Sequence, residues 1–314
     1  MLTVYKSGDQ GLQAIALEPA ALKGAWIKAS EPADEELALL SATIAVPEKL
    51  LRYAFEEDSC PRILLHERCV LIILNVPVAR SADQYDTIPF TILLLPELVI
   101  TVSKEPAAII PDNGGPEFDT RQSSRFFFQI LYQAGNIFLR HIHTIRQRTD
   151  EIEVHLRKST TNREVFQLLN LEKGLTYFTA ALRANVIVLE SILRLRSNPQ
   201  LRHLLPMHEA DEDIVENVII ENRRALELVQ TYSDILSSMM DAFSSVISNN
   251  LNYIMKFLAA ITILLSIPTM ISSFWSMSLI VPMQGTETGF WTVVVLCITA
   301  SSVAGLILRK KGML

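Results

Sequence analysis

The segment NNLNYIMKFLAAITILLSIPTMISSFW, Asn249–Trp275, passes from polar to apolar at a single lysine, Lys256. From Phe257 to Trp275 run 19 residues without a charge. As a helix they reach about 29 Å at ~1.5 Å per residue, the thickness of a bilayer's hydrocarbon core. A second stretch of the same kind, FWTVVVLCITASSVAGLIL, runs from Phe290 to Leu308. Phe274 and Trp275 end the first stretch and Phe290 and Trp291 begin the second, so aromatics flank the short loop between them. Lys256 and the cluster Arg309-Lys310-Lys311 flank the opposite ends. Aromatics at the interface and cations on the inner side place both termini in the cytoplasm and Ser276–Gly289 outside. A buried hairpin of a soluble protein is the competing reading, and two stretches of full spanning length with matched flanks argue against it.

Within the first span the polar and small residues fall into register. Asn252, Met255, Ala259, Thr262, Ser266, Thr269, Ser273 and Ser276 recur at alternating spacings of three and four, which draws one stripe along a helix. Small hydroxyl residues glue transmembrane helices together. Equally, several copies of such a stripe facing one another line a water-filled pore, and periodicity leaves both readings open. The stripe carries no charge. An uncharged wall, if it lines a pore, suits an ion that keeps its hydration shell.

Upstream, no glycine or proline appears from Asp211 to Pro268. Ile214, Val218, Ala225, Leu228, Tyr232, Ile235, Met239, Ala242 and Val246 keep a three–four apolar seam. One helix is therefore expected over 211–275, preceded by helices over 121–158 and 162–196. Residues 1–110 read as mixed α/β. Strands are expected at LTVYK, GAWIK, RILLHE, CVLIILNVPVA, TIPFTILLL and LVITVSK, with a turn at Pro96-Glu97 and helical segments DEELALLSATI and PEKLLRYAFEE. The glycine- and proline-rich PDNGGP, Pro111–Pro116, marks a boundary. Three regions result: an α/β domain over 1–118, a long-helix stalk over 119–250, and a transmembrane hairpin with a short tail over 251–314.

Charge divides along the same lines. Residues 251–314 hold four cations and Glu287, a net of +3, while the whole chain is −6, so residues 1–250 carry −9. An acidic soluble part argues against nucleic acid and is compatible with cations, although solubility alone also explains it. Cys60, Cys69 and Cys297 show no pairing motif and read as buried reduced thiols. No phosphate-binding glycine loop, HExxH or GxSxG is present, so no enzyme is expected. His141 and His143, two apart on a helix, point to different sides. The runs Glu56-Glu57-Asp58 and Glu209-Ala210-Asp211-Glu212-Asp213 read as solvated charge rather than as hard-cation sites.

Taken together, these features resemble the CorA family of magnesium and divalent-cation transporters. The resemblance covers nearly the whole chain and is closest at Met240–Met270, with further likeness in LEKGLTYFTAALRANVIVLESIL (Leu171–Leu193) and EEDSCPRI (Glu56–Ile63). It implies an α+β cytoplasmic domain, a long-helix funnel, two C-terminal transmembrane helices and a homopentamer in the plasma (inner) membrane. It also implies a channel whose pore is lined by Asn252, Met255, Thr262, Ser266, Thr269 and Ser273, with Mg2+ as transported and regulatory ion and no organic cofactor. The chain departs from the family in two places. The family's Gly-Met-Asn at the outer mouth is Ser276-Met277-Ser278 here, after Trp275. The acidic residue that holds regulatory metal falls at or near Asn217, with Asp213, Glu216 and Glu221 close enough to substitute. The changed mouth leaves two further readings open: transport of zinc or another transition metal, and a non-conducting membrane-anchored paralogue.

Overall fold

The computed structural model describes residues 1–313 apart from 9–10, 19–20, 56–59, 68, 107–108, 111–117, 159–161, 197–208 and 278–285. The PDNGGP boundary, the Glu56–Asp58 run and Ser278 therefore lie outside the described residues. The chain divides into two compact units, Met1–Ser238 and Met239–Leu314.

The first unit is built on a seven-stranded sheet: β1 (Leu2–Gly8), β2 (Gly11–Ile15), β3 (Ala25–Ser30), β4 (Arg62–His66), β5 (Cys69–Ser81), β6 (Gln84–Leu95) and β7 (Leu98–Ser103), in the order β2-β1-β3-β7-β6-β5-β4. Its pairings are antiparallel except β3 with β7, which run parallel with Ile27 opposite Ile100. The expected strands are all present, and the turn at Pro96-Glu97 joins β6 to β7. The strand that the sequence did not suggest is β2. Its five residues, GLQAI, pair only at the sheet's edge and are half-buried or exposed, so no strong alternation marks them.

Both faces of the sheet are covered, which explains why β5 and β7 read as continuous apolar runs. Leu71 and Ile73 of β5 point to one face with Ile27, Leu93, Ile100 and Val102, against Leu37, Leu40 and Leu51 of α1 (Asp34–Ile44) and α2 (Glu48–Arg52). Val70, Ile72 and Leu74 point to the other. There they meet Phe126, Phe127 and Ile130 of α3 (Ser123–Lys158), Val188 and Ile192 of α4 (Asn162–Arg196), and Val215 and Val218 of α5 (Glu209–Trp275). PEKLLRYAFEE, expected as one helix, is α2 followed by a 3-10 turn over Tyr53–Phe55.

Two polar contacts and one glycine fix the helices on the sheet. Asn185 of α4 is buried; its Nδ2 donates to the Asn75 carbonyl at 2.8 Å while its Oδ1 accepts from the Asn75 amide at 3.0 Å. Asp83, in the β5–β6 turn, accepts from Arg148 of α3 at 2.6 Å and from Gln167 of α4 at 2.7 Å. The Arg148 guanidinium holds the Asp83 carboxyl below its ordinary pKa. Gly174 of α4 lets that helix approach β6: a Cβ there would lie 2.9 Å from the Tyr85 Cβ, closer than packed atoms tolerate.

The second unit holds the C-terminal part of α5 and α6 (Glu287–Lys310). The Thr286 hydroxyl caps α6, accepting from the Gly289 amide at 3.2 Å. Both helices are long and apolar enough to cross a membrane, and only 6% of the most apolar window of each is buried. Apolar surface that packs against nothing in its own chain is the mark of a segment solvated by lipid or by neighbouring chains.

Candidate functional site

Pro268 interrupts the hydrogen-bond ladder of α5 in the middle of the span. Around it, α6 packs on one side of α5. Ala260 is buried and Leu264, Ile267 and Ile271 are half-buried, a Cβ on Gly305 of α6 would touch the Leu264 Cδ2 at 3.6 Å, and the Cys297 Sγ lies 3.9 Å from the Pro268 carbonyl oxygen. At about 100° per residue, Thr262, Ser266, Thr269 and Ser273 fall within about 60° of one another, on the side opposite Leu264 and Ile271. All four are exposed, as are Asn252 and Met255 further down the same stripe. Ile263 stands on the flank of α5, and it too is exposed.

The hydroxyls are oriented by the helix itself. Thr262 donates to the Leu258 carbonyl at 2.8 Å, Ser266 to Thr262 at 2.7 Å, Thr269 to Leu265 at 3.0 Å and Ser273 to Thr269 at 2.8 Å. Each proton is thus committed to the turn below, and each oxygen keeps its lone pairs for whatever faces the stripe. The result is a row of acceptors. Water bound to a cation turns its oxygen to the ion and its hydrogens outward, so such a row suits the shell of a hydrated cation and offers nothing to a bare anion.

At the end of α5, Ser276 and Met277 are exposed, and the Ser276 amide donates to the Ser272 carbonyl at 3.0 Å. Ser278, the third residue of the expected outer mouth, lies outside the described residues.

In the first unit, Asp213 and Glu216 are exposed and Glu221 is half-buried, 3.6 Å from Arg224. Glu221 and Asn217 line a cleft of about 790 Å³ with Asp119, Gln122 and Arg125 at the start of α3, whereas Asp213 and Glu216 do not. Asp119 is itself engaged by Arg121 at 2.9 Å. Among the described residues, no three acidic, histidine or cysteine side chains converge as a metal set. Of the three thiols expected to be buried, Cys69 is buried, Cys297 is half-buried and Cys60 is exposed. His141 and His143 separate as expected: His143 is exposed, while His141 packs its ring 5.5 Å from Tyr85 and 6.3 Å from Phe178. Burial, with Arg140 adjacent, pushes the His141 imidazole below its ordinary pKa.

The sequence signal for the stripe was its spacing. The complementary face of α6, built from Cys297, Ser301 and Gly305 one turn apart, carries no comparable signal, because small residues and thiols are common throughout apolar helices.

Comparison with known proteins agrees with this anatomy. The cobalt/magnesium transport protein CorA of Methanocaldococcus jannaschii is 25% identical over 295 residues, 91% of this chain and 90% of that protein. The complete structure of the CorA magnesium transporter from the same organism superposes with a TM-score of 0.78 at 22% identity, covering 100% of this chain and 99% of that one. The structure of the full-length CmaX protein follows, with a TM-score of 0.69 at 18% identity over 98% and 96% of the two chains. Residues 23–310 match the family described as CorA-like Mg2+ transporter protein, and with the α/β unit, the long α5 and the two apolar C-terminal helices in place, the chain belongs to that family.

Proposed function

We propose that this chain conducts divalent cations, Mg2+ among them, as a homopentamer in which copies of α5 enclose the pathway and α6 forms the outer ring. The observation that carries the reading is the exposed hydroxyl stripe of α5, Thr262 to Ser273, on the side opposite α6, with every proton turned into the helix. One copy of such a stripe cannot enclose an ion, so conduction requires an oligomer. Asn252 and Met255 line the inner end of the pathway. With both termini in the cytoplasm of a plasma membrane, entry is downhill: a dication gains about 4.6 kcal/mol per 100 mV of inside-negative potential. Passage of the largely hydrated ion follows from a wall that offers hydrogen-bond acceptors but no carboxylate. We further propose that Glu221, with Asp213 and Glu216, contributes to regulatory metal binding between neighbouring subunits.

Uptake of Mg2+ into proteoliposomes holding the full chain tests this reading. The native protein is expected to take up the ion, and Ser266→Leu to stop it, because every subunit then contributes an apolar group to the same constriction. Uptake that survives Ser266→Leu would remove the stripe from the pathway. Absence of uptake by the native protein would leave the chain a non-conducting relative. A second reading, transport of Zn2+ or another transition metal, is favoured by Ser276-Met277-Ser278 standing where the family carries Gly-Met-Asn. Serine reaches less far than asparagine and donates as readily as it accepts. Competition among Mg2+, Co2+, Ni2+ and Zn2+ separates the two. Restoring Ser276→Gly with Ser278→Asn is expected to sharpen the preference for Mg2+.

A further inference from the structure

Pro268 has no amide hydrogen, so the carbonyl of Leu264, four residues earlier in α5, loses its helical partner in the apolar part of the span. The carbonyl of Pro268 has the opposite condition. It accepts from the Ser272 hydroxyl at 2.6 Å and also faces the Cys297 Sγ at 3.9 Å. On α6, one turn beyond Cys297, stands Ser301, whose hydroxyl oxygen is buried and makes no hydrogen bond. One further turn along, Gly305 abuts Leu264. The two helices run antiparallel, and these two contacts fix the register, so Ser301 faces α5 at the turn between Leu264 and Pro268.

A buried hydroxyl without a partner is unfavourable, and so is a carbonyl deprived of its amide in a bilayer. Here the two stand at the same level of one helix pair. A proline is where a helix changes its bend most easily, because the ladder is already open. The hydroxyl stripe lies on the other side of the same turn, with Ser266 and Thr269 bracketing Pro268. A change of bend there alters how Ser266 is placed relative to Ser273.

We propose that Ser301 is a positioning residue of the pathway: its hydroxyl donates to the Leu264 carbonyl in a second, more bent conformation of α5, and that conformation is the one that conducts. The inference rests on the transport reading for its functional half and on the helix pair alone for its structural half. In the conformation described above the bond is unmade, so losing the hydroxyl costs this conformation nothing. In the bent conformation the bond is made, so losing the hydroxyl depopulates it.

The test uses the full chain in proteoliposomes and nanodiscs, comparing the native protein with Ser301→Ala and Ser301→Thr by Mg2+ uptake, amide hydrogen exchange of Thr269–Ser273, and thermal unfolding. Ser301→Ala is expected to lower uptake and slow exchange by about fivefold, the population shift that corresponds to one net hydrogen bond, without lowering the unfolding midpoint. Ser301→Thr, which keeps the hydroxyl, is expected to restore both. A lowered midpoint with unchanged exchange would make Ser301 a packing residue and overturn the proposal, as would exchange and uptake that do not move. If the native protein carries no ion, the transport reading fails on that arm, and the exchange arm still decides whether the hinge exists.

Discussion

Phe178 of α4 and Leu265 of α5 are both large apolar residues on long helices, yet Phe178 is 0% exposed and Leu265 68%. Phe178 meets Phe138 at 5.3 Å and Tyr85 at 5.9 Å, edge to face, inside the first unit. Leu265 meets nothing of its own chain that covers it. The first unit encloses Phe178 and two apolar clusters, although Phe166 and Ile187 of the same helix α4 stay exposed. The α5 segment of the second unit leaves its apolar groups outward on every side but the one turned to α6, and Thr262, Ser266, Thr269 and Ser273 share one stripe of it. The same residue types thus answer to different solvents. What distinguishes the helices is which surface stays unpaired, and this is why the polar stripe of α5, rather than its apolar flanks, carries the functional reading.

That contrast is open to measurement. The largest expected effect is in the first unit: Phe178→Ala should cost about 3–5 kcal/mol, the range for emptying an aromatic site in a close-packed core. Leu265→Ala in the same full-length protein should change unfolding little. Denaturation in mild detergent, followed by far-ultraviolet circular dichroism, compares them, and equal losses would mean that Leu265 is packed as a core residue. Next in size is Asn185→Ala. It leaves the Asn75 amide and carbonyl unpaired beneath α4, so about 2–3 kcal/mol is expected from the stranded buried groups. Ser273→Ala, which removes a hydroxyl bonded only to its own helix, should leave stability within about 0.5 kcal/mol, the usual range for a position away from any buried contact.

The smallest effect is a pH dependence. His141 is held neutral by burial, so its folded pKa lies below the unfolded value of about 6.5. The unfolded chain then binds the proton more readily. Stability is full above about pH 6.5 and declines as pH falls through that value toward the folded pKa. His141→Phe, which keeps a ring against Tyr85 and Phe178, should flatten this part of the profile. An unaltered slope between about pH 7 and 5 would assign the dependence to other groups. Asp83 acts lower on the scale. Its pKa is depressed by Arg148, so its contribution persists above about pH 4 and is lost only below it.

Several elements were legible because one physical signal dominated them. Helix α1 spans Asp34–Ile44, the very segment read from the sequence after Pro32-Ala33. The strand β7 announced itself as a β-branched and aliphatic run, β5 and β6 as aliphatic-rich runs that each carry one proline, and the stripe of α5 as a three–four spacing within an uncharged span. Other features depend on partners far away in sequence. The parallel pairing of Ala25–Ser30 with Leu98–Ser103 has no local signature, since nothing in either segment names the other. Asn185 reads as an ordinary polar residue of an amphipathic helix until Asn75 is found beneath it. Ser301 is indistinguishable in sequence from Ser302, and only the register fixed by Gly305 and Cys297 separates them.

The parallel pair in the centre of the sheet also governs the order in which the molecule can be made. Strands β4 to β7 form a meander whose neighbours in sequence are neighbours in space, so it can assemble as it emerges. Strands β1 to β3 have no lasting edge to join until β7 is complete, because Ala25–Ser30 pairs with Leu98–Ser103. During synthesis the first thirty or so residues therefore wait for the hundredth, exposing unpaired strand edges through that interval. The apolar segments of α5 and α6 are translated after both, so the sheet can close before any span needs a bilayer.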